Sequence, residues 1–525
     1  MPEDNPSNII ADLAQRLGDF IDSSLPQVLI NDFATALDRF DYADDNVVAA
    51  YPQADTTFGE WDQQAFDNYY QPDESDPRRT QADKDSLIYP LFTDNKILGI
   101  PNLLLMLTPG VVPVIIARAL GDSFMEPNSS LIDNLVDLTG ATSAIKKKYQ
   151  RARPAPATEI DPGYTSGHTT IGFLVGTALA WLFPERGQEL FSRALNFGES
   201  RVVHGSHYPT DTIGSRALSY YESASLLNNE NFDQFVVNSA KLARSVLGTL
   251  MTPFFFSGDL KNTLETQTTP LADAYAADGD AIGYYGMAAP GAPPGTDSEN
   301  IPALAANLLM FRFPYLSAAE RQDILAGTSH PVDSLAGYMV EPGDPDSYWA
   351  LVDLPNAYRG PAELDTDITV NQVTTDDDFV GYGDSDTWEN NITGTGHLIK
   401  DGTGTLTLTG DNDFGGIEVN DGRLVLTGDN QLDDTLYVNG GVLIVDGDLD
   451  ANVVLNGGTL AGSGTIANLT VESGTNDFTG TVDQQAAEHL VADSAALGAP
   501  AGSSQLSYSS NPLETQPQPI ASALA

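Results

Sequence analysis

The feature that most restricts the fold of this chain is a short motif that occurs three times near its C-terminal end. The motif appears as Val419-Asn420-Asp421-Gly422-Arg423-Leu424, 19 residues later (419 to 438) as Val438-Asn439-Gly440-Gly441-Val442-Leu443, and 17 residues after that (438 to 455) as Leu455-Asn456-Gly457-Gly458-Thr459-Leu460. Short repeats of this kind bury their apolar face only by stacking on their neighbours, with a turn at each Asn-Gly-type step. The pattern predicts a right-handed parallel β-helix of β-solenoid type over residues 368–480.

The chain before this repeat follows a different pattern. Apolar residues recur at helical spacing between residues 86 and 260, which predicts an all-α helical domain and makes the protein multidomain. The helical stretches are Ser130 to Ile145, Thr169 to Phe183, Gly187 to Phe197, Asp211 to Leu227 and Phe235 to Leu250. We expect residues 1–85 to be an acidic region with short helices and residues 261–367 to extend the helical domain. Residues 481–525 match neither pattern, which predicts a disordered tail.

Composition excludes several classes of function. The chain carries 73 acidic and 24 basic residues, for a net charge of -49. Such a surface repels nucleic acid and anionic membranes, so we expect neither as a partner. Cysteine is absent, which excludes disulfides, thiolate nucleophiles and cysteine-ligated metals. The apolar run Ile97 to Leu120 contains Pro101, Pro109 and Pro113, which favours a buried helical pair over a stable membrane span.

A basic cluster is the first candidate for a functional site. Five of the 24 basic residues lie between Lys146 and Arg153. Arginine binds phosphate oxygens through two parallel hydrogen bonds, and lysine adds a mobile point charge. In so acidic a chain the cluster indicates an anion site. Taken alone, it is equally typical of a solvated basic surface.

Two further stretches add groups that suit phosphate chemistry. Ser166 and Gly167 stand at the start of an apolar helical run, where main-chain amides attract phosphate, and His168 follows at once. His207 lies just before a helix that begins near Pro209, and Asp211 lies in its first turn, within reach of the imidazole. Arg201 adds a cation. The alternative interpretation of each stretch is a simple helix cap.

The three stretches together resemble the signature of the type 2 phosphatidic acid phosphatase superfamily, across roughly residues 86–260. The matching pattern is Lys146-x6-Arg153-Pro154, then Ser166-Gly167-His168, then Ser200-Arg201-x5-His207-x3-Asp211. Within this superfamily, Gly163-Tyr164-Thr165-Ser166-Gly167-His168-Thr169 is most similar to the class A bacterial non-specific acid phosphatases. Thr165 replaces the proline usual there, and the stretch between Pro154 and Ser166 is short.

This resemblance implies a metal-independent phosphomonoester hydrolase that forms a phosphohistidine intermediate and takes a phosphate ester as substrate. It implies that His207 is the nucleophile, Asp211 orients it, and His168 acts first as acid and then as base. The implied phosphate ligands are Lys146, Arg153, Ser166, Gly167 and Arg201. No cofactor or metal is implied, and vanadate is expected to inhibit. Four residues match no ligand position and are interpreted as surface residues or neighbours of the ligands: Lys147, Lys148, Arg151 and His204.

The β-rich end resembles the repeat in passenger domains of autotransporters. Its alternating pattern runs from Trp388 to Asn412, with glycines at 394, 396, 402, 404 and 410. This resemblance implies an extracellular, cell-surface or periplasmic location, with any signal or membrane barrel absent from this chain. No secretory signal is recognisable at Met1-Pro2-Glu3, so a cytoplasmic location stays open.

Two alternative functions remain open at this point, as does the oligomeric state. Vanadium-dependent haloperoxidases share the same anion pocket, with vanadate as cofactor bound at the position of His207. A surface adhesin built on the β-solenoid, carrying an inactive phosphatase module, is the second alternative. For the hydrolase, we expect an acidic to neutral pH optimum, because surrounding negative charge favours protonated imidazole.

Overall fold

The computed structural model describes residues 51–85, 140–157, 159–228, 236, 237, 240, 300–340, 345–373 and 382–485. Within these ranges a helical region is followed by a parallel β-solenoid, as the sequence predicted. The predicted features at Ile97 to Leu120 and Phe235 to Leu250 lie wholly or largely outside the described residues. No helix in the described ranges is both long enough and apolar enough to cross a lipid bilayer.

The helical region is built around three helices that run through its core. The α-helices are α1 (Thr57–Tyr69), α2 (Pro77–Asp85), α3 (Gly140–Tyr149), α4 (Gly167–Leu182), α5 (Gly187–His204), α6 (Pro209–Leu226), α7 (Ala318–Gly327) and α8 (Leu354–Ala357). Short 3-10 helices span Pro184–Arg186, Ala303–Leu309, Gly337–Met339 and Pro345–Leu351. Phe173 of α4 and Phe191 of α5 each pack edge-on against Tyr220 of α6. These aromatic contacts hold α4, α5 and α6 together.

A tight turn between α5 and α6 positions the predicted nucleophile. Gly205 ends α5 in the left-handed conformation (φ 92°), and its N–H donates to the carbonyl of Val202 at 2.9 Å. Such an end favours glycine, which lacks the Cβ that penalises positive φ. Pro209 then begins α6, where its missing N–H costs nothing. His207 is therefore held between two helix ends.

The solenoid is formed by two parallel sheets. Its strands are β1 (Ile368–Asn371), β2 (Ser385–Trp388), β3 (His397–Asp401), β4 (Thr405–Leu408), β5 (Asn412–Phe414), β6 (Gly416–Val419), β7 (Arg423–Leu426), β8 (Asn430–Leu432), β9 (Leu436–Val438), β10 (Val442–Val445), β11 (Asp448–Leu455), β12 (Thr459–Ala461), β13 (Thr465–Val471), β14 (Thr475–Asn476) and β15 (Thr481–Gln485). One sheet has the order β2-β4-β7-β10-β12-β14, and the other contains the remaining strands.

The repeat found in the sequence sets the register of these coils. Leu406, Leu424, Leu443 and Leu460 are successive partners across β4, β7, β10 and β12, and all four are fully buried. At the preceding turn, the side-chain amide of Asn439 donates to Asn420 at 3.0 Å, and that of Asn456 donates to Asn439 at 3.1 Å. The identical position in each coil thus bonds to the coil before it.

The solenoid extends five residues beyond the predicted end at residue 480. Strand β15 pairs in parallel with β13, with Thr481 opposite Thr465 and Val482 opposite Ile466. The start of the predicted disordered tail is therefore a strand, and residues 486–525 lie outside the described ranges.

The extension of the helical domain joins the first coil of the solenoid through a buried ion pair. Arg312 donates to Asp386 of β2 at 2.5 Å and to the carbonyl of Tyr358 at 2.8 Å. Beside it, the indole N–H of Trp388 donates to the Tyr315 hydroxyl at 3.1 Å. Both charged side chains are at most 2% exposed. The helical extension therefore covers one end of the solenoid.

Candidate active site

His207 lies at the centre of the site, between a carboxylate and a guanidinium. Its Nδ1 is 3.2 Å from Asp211 Oδ2, and its Nε2 is 2.8 Å from Arg153 Nη1. An arginine N–H can only donate, so Nε2 must accept, and the ring proton is assigned to Nδ1, facing Asp211. This tautomer leaves the lone pair on Nε2, the nitrogen that faces the basic groups.

Burial lowers the pKa of His207 to about 4, from an ordinary value of 6.5. Desolvation of the charged imidazolium is the largest cause, and the positive charges of Arg153 and Lys146 act in the same direction. The hydrogen bond and negative charge of Asp211 oppose this shift without overcoming it. The ring is only 3% exposed, and its burial favours the free imidazole that a nucleophile requires over the protonated form.

Asp211 is held in place by two donors from outside the imidazole. Arg151 Nη1 donates to Asp211 Oδ1 at 2.6 Å, and the main-chain N–H of Tyr208 donates to Oδ2 at 3.0 Å. Because Asp211 is fully buried, these bonds fix the direction from which it meets His207. The positive charge of Arg151 is the largest effect that keeps the Asp211 pKa below its usual value against desolvation.

A second buried carboxylate completes this network. Arg151 Nη2 donates to Asp62 Oδ2 at 2.5 Å, and Asp62 also accepts from the main-chain N–H and the hydroxyl of Thr210 at 3.1 and 2.8 Å. The Arg151 guanidinium lies between the rings of Tyr51 and Tyr208, 4.7 and 4.3 Å from their centroids. Arg151 is therefore a buried neighbour of Asp211, one of the two roles that the sequence left open for it, and Asp62 was missed entirely.

The predicted phosphate ligands Lys146 and Arg153 meet at one carboxylate, that of Asp161. Lys146 Nζ lies 2.5 Å from Asp161 Oδ2, and Arg153 Nη2 lies 2.8 and 2.9 Å from the two carboxylate oxygens. Arg153 Nη1 also donates to the carbonyl of Ser206 at 2.9 Å. The structure thus places Arg153 against His207 and holds Lys146 on the same carboxylate as Arg153. Asp161 is a further residue that the sequence did not single out.

The second motif is tied directly to the third. The main-chain N–H of Ser166 donates to the carbonyl of Asp211 at 3.2 Å, and the hydroxyl of Ser215 donates to the carbonyl of Ser166 at 2.8 Å. Ser166 also caps α4, as expected, because its Oγ accepts from the N–H of Thr169 at 3.3 Å. The helix start that carries Gly167 therefore lies against the helix start that carries Asp211.

The remaining predicted residues are placed as follows. His168 is half-buried in the first turn of α4, where its ring lies 6.2 Å from that of Phe197. A Cβ added to Gly167 would meet none of the described residues within 4 Å. The Arg201 guanidinium donates to Ser200 Oγ at 2.9 Å and to the carbonyl of Ala82 at 2.8 Å. Its main-chain carbonyl accepts from the N–H of His207 at 3.3 Å.

Gly163 provides a test of how closely the three motifs must approach one another. A Cβ at this position would lie 3.1 Å from Asp211 Oδ2 and 3.3 Å from Arg153 Cγ. Gly163→Ala is therefore expected to displace one of these groups and to lower kcat/KM for a reaction at His207 about tenfold, since small misplacements at a reacting centre are costly. Steady-state kinetics on the folded variant measure the effect.

Gly176→Ala is the matched control for crowding. Its Cβ would lie 3.3 Å from Ala194 Cβ in the α4–α5 contact, a distance similar to that at Gly163. We expect this control to lower the unfolding temperature and to leave kcat/KM within about twofold, because a Cβ at Gly176 would meet Ala194 and Leu190, neither of which is a site group. Equal losses of kcat/KM in the two variants would contradict the assignment of Gly163 to the site.

Comparisons with known proteins agree with both resemblances found in the sequence. Residues 132–228 match the PAP2 superfamily, and residues 398–425 and 419–445 match the passenger-associated-transport-repeat. The chain is 36% identical over 112 residues to a non-specific acid phosphatase of Salmonella typhi, covering 18% of this chain and 45% of that protein. It is 30% identical over 119 residues to a non-specific acid phosphatase of Providencia stuartii, covering 20% of this chain and 48% of that protein.

A further relative is the Neisserial autotransporter lipoprotein NalP of Neisseria meningitidis serogroup B. It is 30% identical over 140 residues, which are 26% of this chain and 12% of that protein. The chain thus spans less than half the length of these curated relatives. The helical region is thus similar to the PAP2 superfamily, and the solenoid is similar to the passenger-associated-transport-repeat.

Proposed function

We propose that this chain is a phosphomonoester hydrolase of the acid phosphatase type, with His207 as its nucleophile. The observation that carries the proposal is the state of the His207 ring. Its Nδ1–H faces Asp211 and its Nε2 lone pair faces Arg153, beside Lys146. A neutral imidazole with a fixed tautomer, next to two cations, suits attack on a phosphoryl group. The similarity of the helical region to non-specific acid phosphatases supports the same chemistry.

In the first step, His207 Nε2 attacks phosphorus as the bond from phosphorus to the ester oxygen breaks. His168 gives its proton to the departing oxygen, so the alcohol leaves neutral and a phosphohistidine remains. The His207 ring becomes positively charged, and Asp211, 3.2 Å from Nδ1, stabilises that charge.

In the second step, His168 removes a proton from a water molecule, and the resulting hydroxide attacks phosphorus. The bond from phosphorus to Nε2 breaks, inorganic phosphate leaves, and both histidines return to their starting states. Throughout, Lys146, Arg153, Arg201, Ser166 and the Gly167 amide are proposed to bind the phosphoryl oxygens. Side-chain cations then do the work that a metal does in other phosphatases, so we propose metal-independent turnover.

A panel of phosphate esters tests this proposal. The expected result is hydrolysis of p-nitrophenyl phosphate in the presence of a metal chelator, with inhibition by vanadate. Vanadate-dependent oxidation of halide with negligible ester cleavage would instead assign the site to a haloperoxidase. Wild-type protein that is inactive on every phosphomonoester and on halide would favour the adhesin alternative.

The pH dependence of kcat/KM tests the state of His207 directly. Its pKa of about 4 lies below the ordinary 6.5, so the ring is neutral and nucleophilic above about pH 4. We expect kcat/KM to fall about tenfold per pH unit below this value, since kcat/KM reports ionisations of the free enzyme. A pH-rate profile with an acid limb near 6.5 would contradict the role given to the buried ring.

A stability control accompanies this profile. Because the folded pKa of His207 is lowered, the unfolded chain binds a proton more readily between pH 6.5 and 4. The contribution of His207 to the free energy of unfolding is therefore fully present above pH 6.5, and it decreases as the pH falls towards 4. Circular dichroism at each pH separates unfolding from loss of the nucleophile.

We also propose an extracellular or cell-surface location for the protein. The passenger-associated repeats at residues 398–445 and the likeness to an autotransporter lipoprotein support it. Brief protease treatment of intact cells that produce the protein is expected to remove it while sparing a cytoplasmic marker. Complete protection in intact cells, with cleavage after lysis, would contradict this location.

A further inference from the structure

The cations of the proposed phosphate site are already occupied by a carboxylate of the protein itself. Asp161 accepts from Lys146 Nζ at 2.5 Å and from Arg153 Nη2 at 2.8 and 2.9 Å. Arg153 Nε donates in addition to the main-chain carbonyl of Asp161 at 3.0 Å. The carboxylate and its own backbone thus use the donors that a phosphoryl group would need.

The same contacts also cover the nucleophile. Arg153 Nη1 donates to His207 Nε2 at 2.8 Å, so the lone pair that must reach phosphorus is engaged. Asp161 holds Arg153 in this position from its other side. A phosphoryl group can approach Nε2 only when Arg153 moves off the imidazole, which requires Arg153 to exchange Asp161 for the incoming anion.

The Asp161 side chain is exposed to solvent, which allows another anion to displace it. It lies on the short stretch between Pro154 and Ser166, and its side chain is 53% exposed. Its neighbour Ile160 is fully exposed, so this part of the chain is not packed into the core. Ion pairs open to solvent are weak enough to exchange.

Asp161 also carries its charge throughout the acidic range. Burial raises its pKa, but the hydrogen bonds and charges of Lys146 and Arg153 outweigh this and lower the pKa to about 2. At pH 4 to 7 the carboxylate is therefore ionised and competes as an anion.

We propose that Asp161 is an intramolecular competitor for the phosphate site, occupying Lys146 and Arg153 until a substrate or phosphate displaces it. The inference rests on the proposed function of this site. Because the occupied form excludes all anions alike, it weakens the apparent binding of each by one common factor.

Asp161→Asn tests the proposal, because it removes the charge and keeps the size. We expect the Kd for inorganic phosphate, measured by isothermal titration calorimetry at pH 5.5, to fall about tenfold. The Ki for vanadate and the KM for p-nitrophenyl phosphate should fall by the same factor. Asp161→Ala, as a second variant, should shift all three constants in the same direction.

Glu159→Gln is the matched control. Glu159 lies on the same stretch and accepts from the Ser206 hydroxyl at 3.1 Å, so the control removes an equal charge close by. It should leave the phosphate Kd within about twofold, because Asp161 is the carboxylate that pairs with both cations among the described residues.

Other results would contradict the Asp161 proposal, the proposed function, or both. A phosphate Kd that is unchanged or raised in Asp161→Asn would show that the carboxylate aligns the two cations, and would overturn the proposal. Phosphate binding is measured without turnover, so the two proposals can fail separately. A protein inactive on all esters, yet tighter for phosphate in Asp161→Asn, would refute the hydrolase and support the competitor. Lack of phosphate binding by both proteins would refute both.

Discussion

His207→Ala is expected to lower kcat/KM for p-nitrophenyl phosphate by at least about four orders of magnitude, because it removes the atom that bonds to phosphorus. The fold should be retained, since the hydrogen bonds of the ring within the described residues are those with Asp211 and Arg153. Activity measured with a discontinuous phosphate assay, together with far-ultraviolet circular dichroism, checks both halves of the expectation.

His204→Ala is the control for this experiment. His204 lies three positions earlier, and its Nδ1 bonds to the Ser206 hydroxyl at 2.7 Å rather than to Asp211. We expect its kcat/KM to stay within about threefold of the wild type, because a hydrogen bond outside the reacting centre contributes little to the transition state. A large loss in His204→Ala with little loss in His207→Ala would reverse the assignment.

Chemical trapping strengthens the same test. Acid-sensitive, alkali-stable labelling from a phosphate ester is the property of a phosphohistidine, so rapid mixing followed by an alkaline quench should retain labelled phosphate on the wild type. His207→Ala should retain none. Label that persists in His207→Ala would place the intermediate on another residue.

Arg151→Leu is expected to lower the free energy of unfolding by about 3–5 kcal/mol, the usual effect of removing one partner from a buried charge cluster. Arg151 is 7% exposed and pairs with Asp62 and Asp211, which are at most 1% exposed. The substitution leaves both carboxylates buried without their cation. Urea denaturation followed by circular dichroism measures the loss.

Activity should fall together with stability in this variant. Arg151 acts as a positioning residue, because it fixes Asp211 and through it the tautomer of His207. At urea concentrations below the denaturation midpoint we therefore expect a lower kcat. We also expect the acid limb of the kcat/KM profile to shift away from pH 4, which a purely structural role of Arg151 would not cause.

Lys147→Leu removes an exposed charge from the same basic cluster. It should change the free energy of unfolding by less than about 0.5 kcal/mol, as is usual for surface substitutions. If Arg151→Leu changed stability as little as Lys147→Leu does, the buried network would have no energetic role.

The residues that could be predicted from the sequence are those whose positions follow from local rules. A serine before an apolar helix predicts a cap, and a histidine four residues before an aspartate at a helix start predicts a contact. Ser166, His207 and Asp211 are therefore found where their spacing indicated.

Asp62 and Asp161 have no such local signal. Asp62 lies far from the motifs along the chain, in α1, and meets Arg151 only because the helices pack. Asp161 is one of 73 acidic residues, and its importance follows from the path of the stretch between Pro154 and Ser166. Such contacts depend on tertiary structure, which spacing alone does not encode.

The end of the solenoid shows the same limit on a smaller scale. The last coil keeps the geometry of the repeat but differs in sequence. It has Ser473-Gly474-Thr475 where the coil before has Gly457-Gly458-Thr459. Thr475 still pairs with Thr459, and Gly474 keeps a positive φ of 99°. The exact motif is therefore lost in this coil while its hydrogen bonding continues, and the predicted range 368–480 missed only the strand at Thr481–Gln485.

The ion pair between Arg312 and Asp386 has a practical consequence for the design of fragments of this protein. The apolar interior is continuous from Phe191 through Tyr358 and Trp388 into the leucines of the coils. A fragment that begins at residue 368 would lack the Arg312 guanidinium that pairs with Asp386. It would also expose the Trp388 side chain to water. The two fragments produced by a cut at that position are thus expected to be poorly soluble, and any shorter version should keep residues 300–367 attached to the coils.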